Sequence, residues 1–256
     1  MCISYVKLSS KTLNRVAYRL PRIADLLAKV SRSTVFSKFD LLSGFFQIRM
    51  RASDIPKTDF STPFGNIEFR VMIMVFCGAP GTFQHLMDDS FSASITVDGR
   101  TISFLDFLCI YLDDLCVHSA SRADHLLHLK CVLLRLREHK LCAKPTKCEW
   151  MRSTIEFLGH TIGPTGLCIS STEIDALQQW PKPTTVSDVR SLLGTFGFWH
   201  VYIRNFAQLT HLVTALTRKG VAWHWGEGES AALEQLNVPS ATLLYSSHHI
   251  KTSRSV

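Results

Sequence analysis

The residues best suited to chemistry in this 256-residue sequence are two adjacent carboxylates, Asp113 and Asp114. Short apolar runs at 107–112 and 115–117 flank them, which is typical of a buried β-hairpin with the acids at or beside its turn. Ionised carboxylates in apolar surroundings need water, a cation or a turn role to offset the loss of hydration. The pair therefore fits either a solvated turn or a divalent-metal site at a strand end.

A third acid, Asp40, stands near the end of a predicted strand at 34–42 and precedes a Ser43-Gly44 turn. Magnesium prefers carboxylate oxygens and is commonly held together with substrate phosphates. Polymerases use two such ions to clamp the attacking and leaving oxygens, which requires two or three carboxylates from separate strands. Because adjacent strand residues point to opposite faces, we predict Asp40 and Asp113 as principal ligands and Asp114 as an auxiliary.

Apolar spacing predicts the elements that would position these acids. Helices are predicted at 23–30, 82–91 and 122–140, and strands at 34–42, 68–76 and 155–162, the last closed by a turn at 163–166. Further on, Thr185 and Asp188 have the spacing of a capping box, and another helix is predicted at 209–216. Residues 1–164 therefore read as α+β and residues 165–256 as mostly helical.

The predicted helix at 122–140 has the clearest amphipathic pattern in the sequence. Its apolar stripe, expected to face the core, consists of Leu126, Leu129, Leu133 and Leu136. His125 and His128 flank this stripe three residues apart, a spacing that could serve a metal ion. Their position beside the stripe favours ordinary surface residues instead.

Composition indicates a globular protein, with 46% hydrophobic and 19% charged residues. No apolar run is long enough to span a bilayer, and residues 1–10 contain no signal-peptide segment. We therefore expect a cytoplasmic location, with the nucleus or a virus-like particle as alternatives, and no membrane partner. The eight cysteines include no C-x-x-C pair, and a zinc site from Cys142, Cys148 and His160 fits no usual ligand spacing.

Positive charge is concentrated in the first part of the chain. Residues 1–57 contain eleven Lys or Arg and three Asp, a net charge of +8, whereas the whole chain has +7. A basic block of this kind favours a polyanionic partner, with nucleic acid as the first candidate.

The order of short motifs resembles the reverse transcriptase of gypsy-class long-terminal-repeat retrotransposons. The two acidic motifs are Phe39-Asp40-Leu41 with Gly44-Phe45, and Tyr111-Leu112-Asp113-Asp114. Matching segments elsewhere are Met1-Cys2, Tyr18-Arg19-Leu20-Pro21-Arg22, Asp54-Ile55-Pro56-Lys57-Thr58, Ala79-Pro80, Thr82-Phe83-Gln84, Phe157-Leu158-Gly159-His160 and Trp180-Pro181. The resemblance extends over roughly residues 1–236.

This resemblance implies a right-hand polymerase fold, with an antiparallel-sheet palm, interleaved fingers and a helical thumb. It implies a catalytic and metal-binding triad of Asp40, Asp113 and Asp114 with Mg²⁺, or Mn²⁺, as cofactor. The implied partners are an RNA or DNA template with its primer, and dNTPs. The implied dNTP pocket comprises Phe45, Tyr111 and Met74; the primer grip comprises Phe157, Leu158, Gly159 and His160; and the template–primer backbone would meet Arg135, Lys144, Lys147 and Arg152.

The resemblance also implies a domain division and some departures from the family. We expect fingers and palm at 1–164, a thumb at 165–220 and the start of a connection or RNase H-like region at 221–256. The family's N-terminal fingers edge and RNase H carboxylates have no counterpart in the sequence. Its usual Pro-Phe-Gly-Leu is replaced by Ile73-Met74-Val75-Phe76, where Val75 stiffens a segment that glycine would leave open. Two hypotheses result: an RNA-directed DNA polymerase, or a truncated retroelement product that binds nucleic acid or only folds.

Overall fold

A computed structural model describes Tyr5 and residues 18–164, 166–203 and 205–236 of the chain, with the side chain of residue 201 excepted. The Met1-Cys2 motif, Thr165 of the predicted turn at 163–166, and residues 237–256 lie outside the described residues. The chain divides into two compact units, Met1–Ile155 and Glu156–Val256. The functional division into fingers and palm at 1–164, a thumb at 165–220 and a further region at 221–256 stays a prediction.

An antiparallel sheet of four strands forms the centre of the first unit, in the order β6-β7-β1-β8. These strands are β1 (Val35–Asp40), β6 (Leu108–Tyr111), β7 (Asp114–Ser119) and β8 (Glu149–Arg152). Strands β6 and β7 form the hairpin predicted from the sequence around the paired acids. Strand β1 lies between β7 and β8, so that Asp40 comes to the centre of the sheet rather than its edge.

Among the described residues of the first unit, three helices accompany this sheet: α1 (Ile23–Val30), α2 (Ala79–Ser92) and α3 (Arg122–Glu138). One face of the sheet contributes Phe39, Leu115 and Val117 to a core that also includes Phe83 of α2 and Val132 of α3. Burial of this apolar surface is the main stabilising contribution, and it fixes the strands that bear the acids. The helices predicted at 23–30, 82–91 and 122–140 are therefore confirmed, with small shifts in their ends.

The buried face of α3 differs from the predicted leucine stripe. Leu129 and Leu136 are buried, but Leu126 and Leu133 are exposed, and His125 is fully buried in their place. His125 is accommodated because Ser37 Oγ lies 2.7 Å from its Nε2 and Ser119 Oγ lies 2.8 Å from its Nδ1. His128 is half-buried, with its ring stacked on Phe107. The prediction that both histidines are ordinary surface residues was wrong, since buried serines satisfy their ring nitrogens.

Two small hairpins complete the first unit. They are formed by β2 (Phe60–Thr62) with β3 (Gly65–Ile67), and by β4 (Ile95–Val97) with β5 (Arg100–Ile102), the latter around the predicted Asp98-Gly99 turn. The strand predicted at 68–76 does not form. Val71 makes only an isolated bridge to Arg49, and the chain then turns, with Met72 and Ile73 buried.

The second unit contains a three-stranded antiparallel sheet followed by helices. Its elements are β9 (Ile155–Phe157), β10 (His160–Gly163), β11 (Gly166–Ile169), α4 (Ser171–Gln178), α5 (Val186–Phe198), α6 (Phe206–Ala215) and α7 (Glu227–Leu236). Thr185 and Asp188 form the predicted capping box at the start of α5. Leu177, Val189, Leu192 and Phe196 belong to its core. Within the described residues, no helix combines the length and the apolarity needed to cross a membrane.

Candidate active site

The β6–β7 hairpin places Asp113 in a two-residue turn. Tyr111 pairs directly with Asp114, so that Leu112 and Asp113 make the connection. Leu112 has a left-handed backbone conformation, with φ of 53°. Its N–H donates to Gln84 Oε1 of α2 at 2.8 Å, which holds this tight turn against the helix. The predicted position of the acids, at or beside a hairpin turn, is confirmed.

Strand pairing brings the third acid to the same place. Asp40 of β1 lies directly opposite Asp114 of β7, and directly opposite residues of an antiparallel pair share a face of the sheet. The next residue, Leu41, donates its N–H to the carbonyl oxygen of Asp113 at 3.3 Å. The three acids predicted to act together therefore meet at one end of the central sheet.

Two of these three carboxylates form ion pairs with lysines. Lys38 Nζ lies 3.3 Å from Asp114 Oδ1, and Lys147 Nζ lies 3.1 Å from Asp40 Oδ2. Lys38 precedes Asp40 by two residues on β1 and therefore shares its face. Lys147 is the last residue of a short helical turn, Pro145–Lys147, just before β8. Among the ion pairs of the described residues, Asp113 has no lysine or arginine partner of its own.

The surroundings of Asp113 raise its pKa from the ordinary value. Partial burial is the largest cause, because it penalises the charged form, and the negative charges of Asp114 and Asp40 add to the effect. A hydrogen bond from its own backbone and the nearby Lys147 act in the opposite direction. An added positive charge beside Asp113 would therefore favour its ionised form.

The donor set fits a divalent cation. Three carboxylates at a strand end provide the hard oxygen ligands that Mg²⁺ prefers, and two ammonium groups already stand where positive charge is needed. Over the part of the chain that the structure describes, no group of three or more His, Cys, Asp or Glu side chains is gathered tightly enough to hold a metal. A shared ion would therefore require the side chains to rearrange, with Asp40 turning from Lys147 toward Asp113.

Gly44, which precedes Phe45, packs closely against the acidic turn. A Cβ built on Gly44 would lie 3.2 Å from Asp113 Cβ and 2.9 Å from Phe83 Cζ, so the approach depends on the absence of a side chain. The ring of Phe45 is half-buried, with its centroid 5.1 Å from that of Phe83. The chain neighbour of Phe45 thus contacts the acidic turn, and the assignment of Phe45 to the dNTP pocket stays a prediction.

The other two members of the predicted dNTP pocket differ in their positions. Tyr111 ends β6, directly opposite Asp114, and is half-buried. Met74 is 72% exposed in the irregular segment before α2, beside the exposed Val75. Strand pairing therefore brings Tyr111 to the acids, and the assignment of both Tyr111 and Met74 to the dNTP pocket stays a prediction.

The residues predicted to meet the template–primer backbone do not form one surface. Arg135 is buried, and its guanidinium donates to the carbonyl oxygens of Ser90 at 2.7 Å and Ala93 at 3.0 Å. This burial does not agree with the predicted contact to the nucleic-acid backbone, because the guanidinium is instead hydrogen-bonded to α2 and to the loop after it. Lys144 is half-buried, and Lys147 and Arg152 are exposed.

The predicted primer grip is a tight turn in the second unit, between β9 and β10. Leu158 and Gly159 have φ of 51° and 78°, so the predicted continuous strand at 155–162 is interrupted there. Phe157 is fully buried, and a Cβ on Gly159 would lie 3.0 Å from the indole of Trp199. His160 Nδ1 lies 2.9 Å from the hydroxyl of Tyr202. These contacts fix the shape of the turn within its own unit.

Sequence reasoning missed Lys38 and Gln84 as parts of the site. Lys38 could have been found from its i,i+2 spacing to Asp40, which places both on one strand face. Gln84 has no comparable signal, because its contact with Leu112 joins residues 28 positions apart. Its Nε2 donates to Asp88 Oδ1 of the same helix at 2.9 Å and, more weakly, to the carbonyl oxygen of Ile110 on β6 at 3.5 Å.

Comparison with known proteins agrees with this geometry. Residues 2–162 match the protein family described as reverse transcriptase (RNA-dependent DNA polymerase). The chain is similar to the Transposon Tf2-3 polyprotein of Schizosaccharomyces pombe, with 33% identity over 236 residues. That alignment covers 92% of this chain and 17% of the polyprotein, so the chain spans less than a fifth of the relative's length.

Solved structures show the same fold. The foamy viral protease-reverse transcriptase in complex with an RNA/DNA hybrid has a TM-score of 0.76 at 22% identity, covering 93% of this chain and 31% of that one. The same viral protein in complex with dsDNA has a TM-score of 0.78 at 22% identity, covering 93% and 48%. The predicted α+β right-hand polymerase fold is therefore confirmed.

Proposed function

We propose a polymerase function for this chain because it belongs to the reverse transcriptase family, in the branch of gypsy-class long-terminal-repeat retrotransposons. Its activity would be RNA-directed DNA synthesis, the transfer of a nucleotidyl group from a dNTP onto a primer 3′-hydroxyl. The observation that carries this proposal is the meeting of Asp40, Asp113 and Asp114 at one end of the central sheet.

These carboxylates are the residues that would hold divalent metal, with Mg²⁺ as the expected ion and Mn²⁺ as an alternative. Bound there, the ions would supply Lewis acidity and a clamp on the attacking and leaving oxygens. Asp40 and Asp113 are proposed as the principal ligands, and Asp114 assists while Lys38 offsets part of its charge. The protein itself forms no covalent bond to the substrate, so its contribution is positioning and electrostatic stabilisation.

Selection of dNTPs is proposed to rest on Phe45. Its ring packs on Phe83 beside the Gly44–Asp113 approach, which leaves it little freedom to move aside. A rigid aromatic ring there would crowd a ribose 2′-hydroxyl and would favour the deoxyribose. Tyr111, opposite Asp114, would line the same pocket.

Nucleic acid is the proposed partner, as a template with its primer. Support comes from the basic composition of residues 1–57 and from the viral relatives that were solved with an RNA/DNA hybrid and with dsDNA. Phosphate contacts of this kind are independent of sequence and weaken as salt rises. Lys147 and Arg152 are exposed and could make such contacts, and the Leu158-Gly159 turn is proposed to grip the primer end.

Primer extension tests the proposal directly. The chain would be incubated with poly(rA)/oligo(dT), dTTP and Mg²⁺, alongside Asp113→Asn as a matched variant of nearly equal size. We expect Mg²⁺-dependent extension by the wild type and loss of at least about 100-fold in the variant, the scale of removing one key electrostatic group from an active site. Equal extension by both proteins would refute the assignment of the site.

The second hypothesis, a product that binds nucleic acid without turnover, is favoured by the substitution at 73–76, where the exposed Val75 replaces a glycine of the family. A gel-shift assay with the same template–primer separates the two hypotheses. Retained binding with no extension at any protein concentration would support the second hypothesis and would contradict the first.

A further inference from the structure

We propose that Lys147 is a cationic placeholder in the acidic site, which a divalent metal ion displaces, whereas Lys38 is a lasting partner of Asp114. The inference rests on the proposed function for the identity of the ion and deepens it. It assigns the two lysines different roles, although each forms one ion pair with one carboxylate.

The backbone around Lys147 is fixed while its side chain is not. Lys144 donates its N–H to the carbonyl oxygen of Asp40 at 2.8 Å, and Lys147 donates its N–H to Lys144 at 3.0 Å. This short turn is therefore attached to the strand that bears Asp40. The Lys147 side chain is 58% exposed and folds back on a flexible stem to reach Asp40. An ion pair this exposed is weak, so an entering cation can displace the ammonium group.

Lys38 has the opposite character. It lies within β1, an inner strand between β7 and β8, and its side chain is only 23% exposed. Its Cα partner on β7 is the buried Cys116, two residues beyond Asp114 on the same face. Because β1 is paired on both sides, the backbone positions of Lys38 and Asp114, which are diagonal neighbours on this face, are fixed relative to each other. With less than a quarter of its side chain exposed, Lys38 has less access to water than Lys147 and is harder to displace.

Charge balance at the site also favours replacement of the Lys147 ammonium group by a divalent ion. Asp40, Asp113 and Asp114 bring three negative charges together, and the two lysines offset two of them. When a divalent ion replaces the Lys147 ammonium, the carboxylates gain one further positive charge among them. The released ammonium then becomes available to a phosphate oxygen, in agreement with the role predicted for Lys147 from the sequence.

Metal binding in the absence of nucleic acid gives the first test. Mn²⁺ affinity would be measured by electron paramagnetic resonance for the wild type, Lys147→Met, Lys147→Arg and the control Lys57→Met. Lys57 is a suitable control because it forms a similarly exposed ion pair, with Asp54, at 2.6 Å. We expect Lys147→Met to bind Mn²⁺ up to about fivefold more tightly, the scale of one exposed ion pair. The arginine and control variants should stay close to the wild type.

Chemical labelling gives the second test, which does not depend on any variant. Acetylation of each lysine would be followed by mass spectrometry as Mg²⁺ is titrated into the wild-type protein. We expect the reactivity of Lys147 to rise with Mg²⁺ toward that of an exposed lysine such as Lys140, while Lys38 and Lys57 stay unchanged.

Three results would overturn the inference. The first is an unchanged or weaker Mn²⁺ affinity in Lys147→Met. The second is an equal response of Lys38 and Lys147 to Mg²⁺ in the labelling experiment. The third is a lack of Mn²⁺ binding by both the wild type and Lys147→Met. None of these measurements requires DNA synthesis. A protein that fails to extend a primer but shows the Lys147 response would contradict the proposed function and leave this inference standing.

Discussion

Gly44 and Asp113 approach each other so closely that a methyl group on Gly44 would lie 3.2 Å from Asp113 Cβ. The same methyl group would lie 2.9 Å from Phe83 Cζ, inside a core that is already filled. The motif that contains Asp40 and the motif that contains Asp113 are thus joined by packing as well as by strand pairing. The geometry of the acidic site depends on a position where only glycine fits.

Gly44→Ala should therefore displace either the acidic turn or Phe83. We expect a loss of about 1–3 kcal/mol in the free energy of unfolding, as for other overpacked cores, with slower primer extension. The matched control is Gly78→Ala, where the added Cβ meets nothing within 4 Å and φ is −84°. Denaturant unfolding and extension rates would be measured for both variants. Equal effects of the two substitutions would argue against the close approach.

Phe45→Ala should relax discrimination against ribonucleotides. Removing the ring opens the space beside Asp113 without removing any carboxylate, so we expect the dCTP-to-rCTP ratio of kcat/KM to fall at least about tenfold. Phe46→Ala serves as the neighbouring control, because its ring is exposed and outside the core. An unchanged ratio in Phe45→Ala would show that another residue excludes the 2′-hydroxyl.

Arg135→Met should lower stability rather than nucleic-acid affinity. The substitution leaves the carbonyl oxygens of Ser90 and Ala93 without their donor and removes a guanidinium stacked 4.9 Å above the ring of Phe104. We expect a loss of about 1–3 kcal/mol in the free energy of unfolding. Arg137→Met, at an exposed position of the same helix, is the control. A lower affinity for template–primer in folded Arg135→Met would restore the assignment made from the sequence.

The buried histidines should make the first unit less stable in acid. Burial lowers the pKa of His118 and His125 to about 4, below the value near 6.5 expected in the unfolded chain. The unfolded chain therefore binds more protons between these values, and stability falls as the pH drops from about 6.5 toward 4.

The check is the thermal midpoint of wild type, His125→Gln and the exposed control His85→Gln across that pH range. We expect the slope of midpoint against pH to be shallower in His125→Gln than in the other two proteins. The same slope in all three would assign the acid sensitivity to other groups.

Local pattern was sufficient to predict the elements that carry the acids. Two apolar runs around Asp113 and Asp114 predicted the β6–β7 hairpin, and helix α1 begins and ends at the predicted residues. The capping box of Thr185 and Asp188 was also visible, because its two residues lie three positions apart. Such features depend on neighbours in sequence, which the pattern contains.

Features that depend on distant residues could not be predicted in this way. The register that sets Asp40 opposite Asp114 joins residues 74 positions apart, and the pair of Lys147 with Asp40 joins residues 107 apart. The buried face of α3 was wrongly predicted because Ser37 and Ser119, on two separate strands, satisfy His125. The strand predicted at 68–76 failed because Met72 and Ile73 reach the core from an irregular segment.

The most direct test of the proposed function compares single asparagine variants of the three acids. Extension of an RNA-templated primer by one dNTP would be measured for the wild type, Asp40→Asn, Asp113→Asn and Asp114→Asn at saturating Mg²⁺. We expect the first two variants to lose at least about 100-fold in rate and Asp114→Asn to lose less, since Asp114 is the auxiliary ligand held by Lys38. Extension by Asp40→Asn and Asp113→Asn at the wild-type rate would contradict a polymerase site built on these carboxylates.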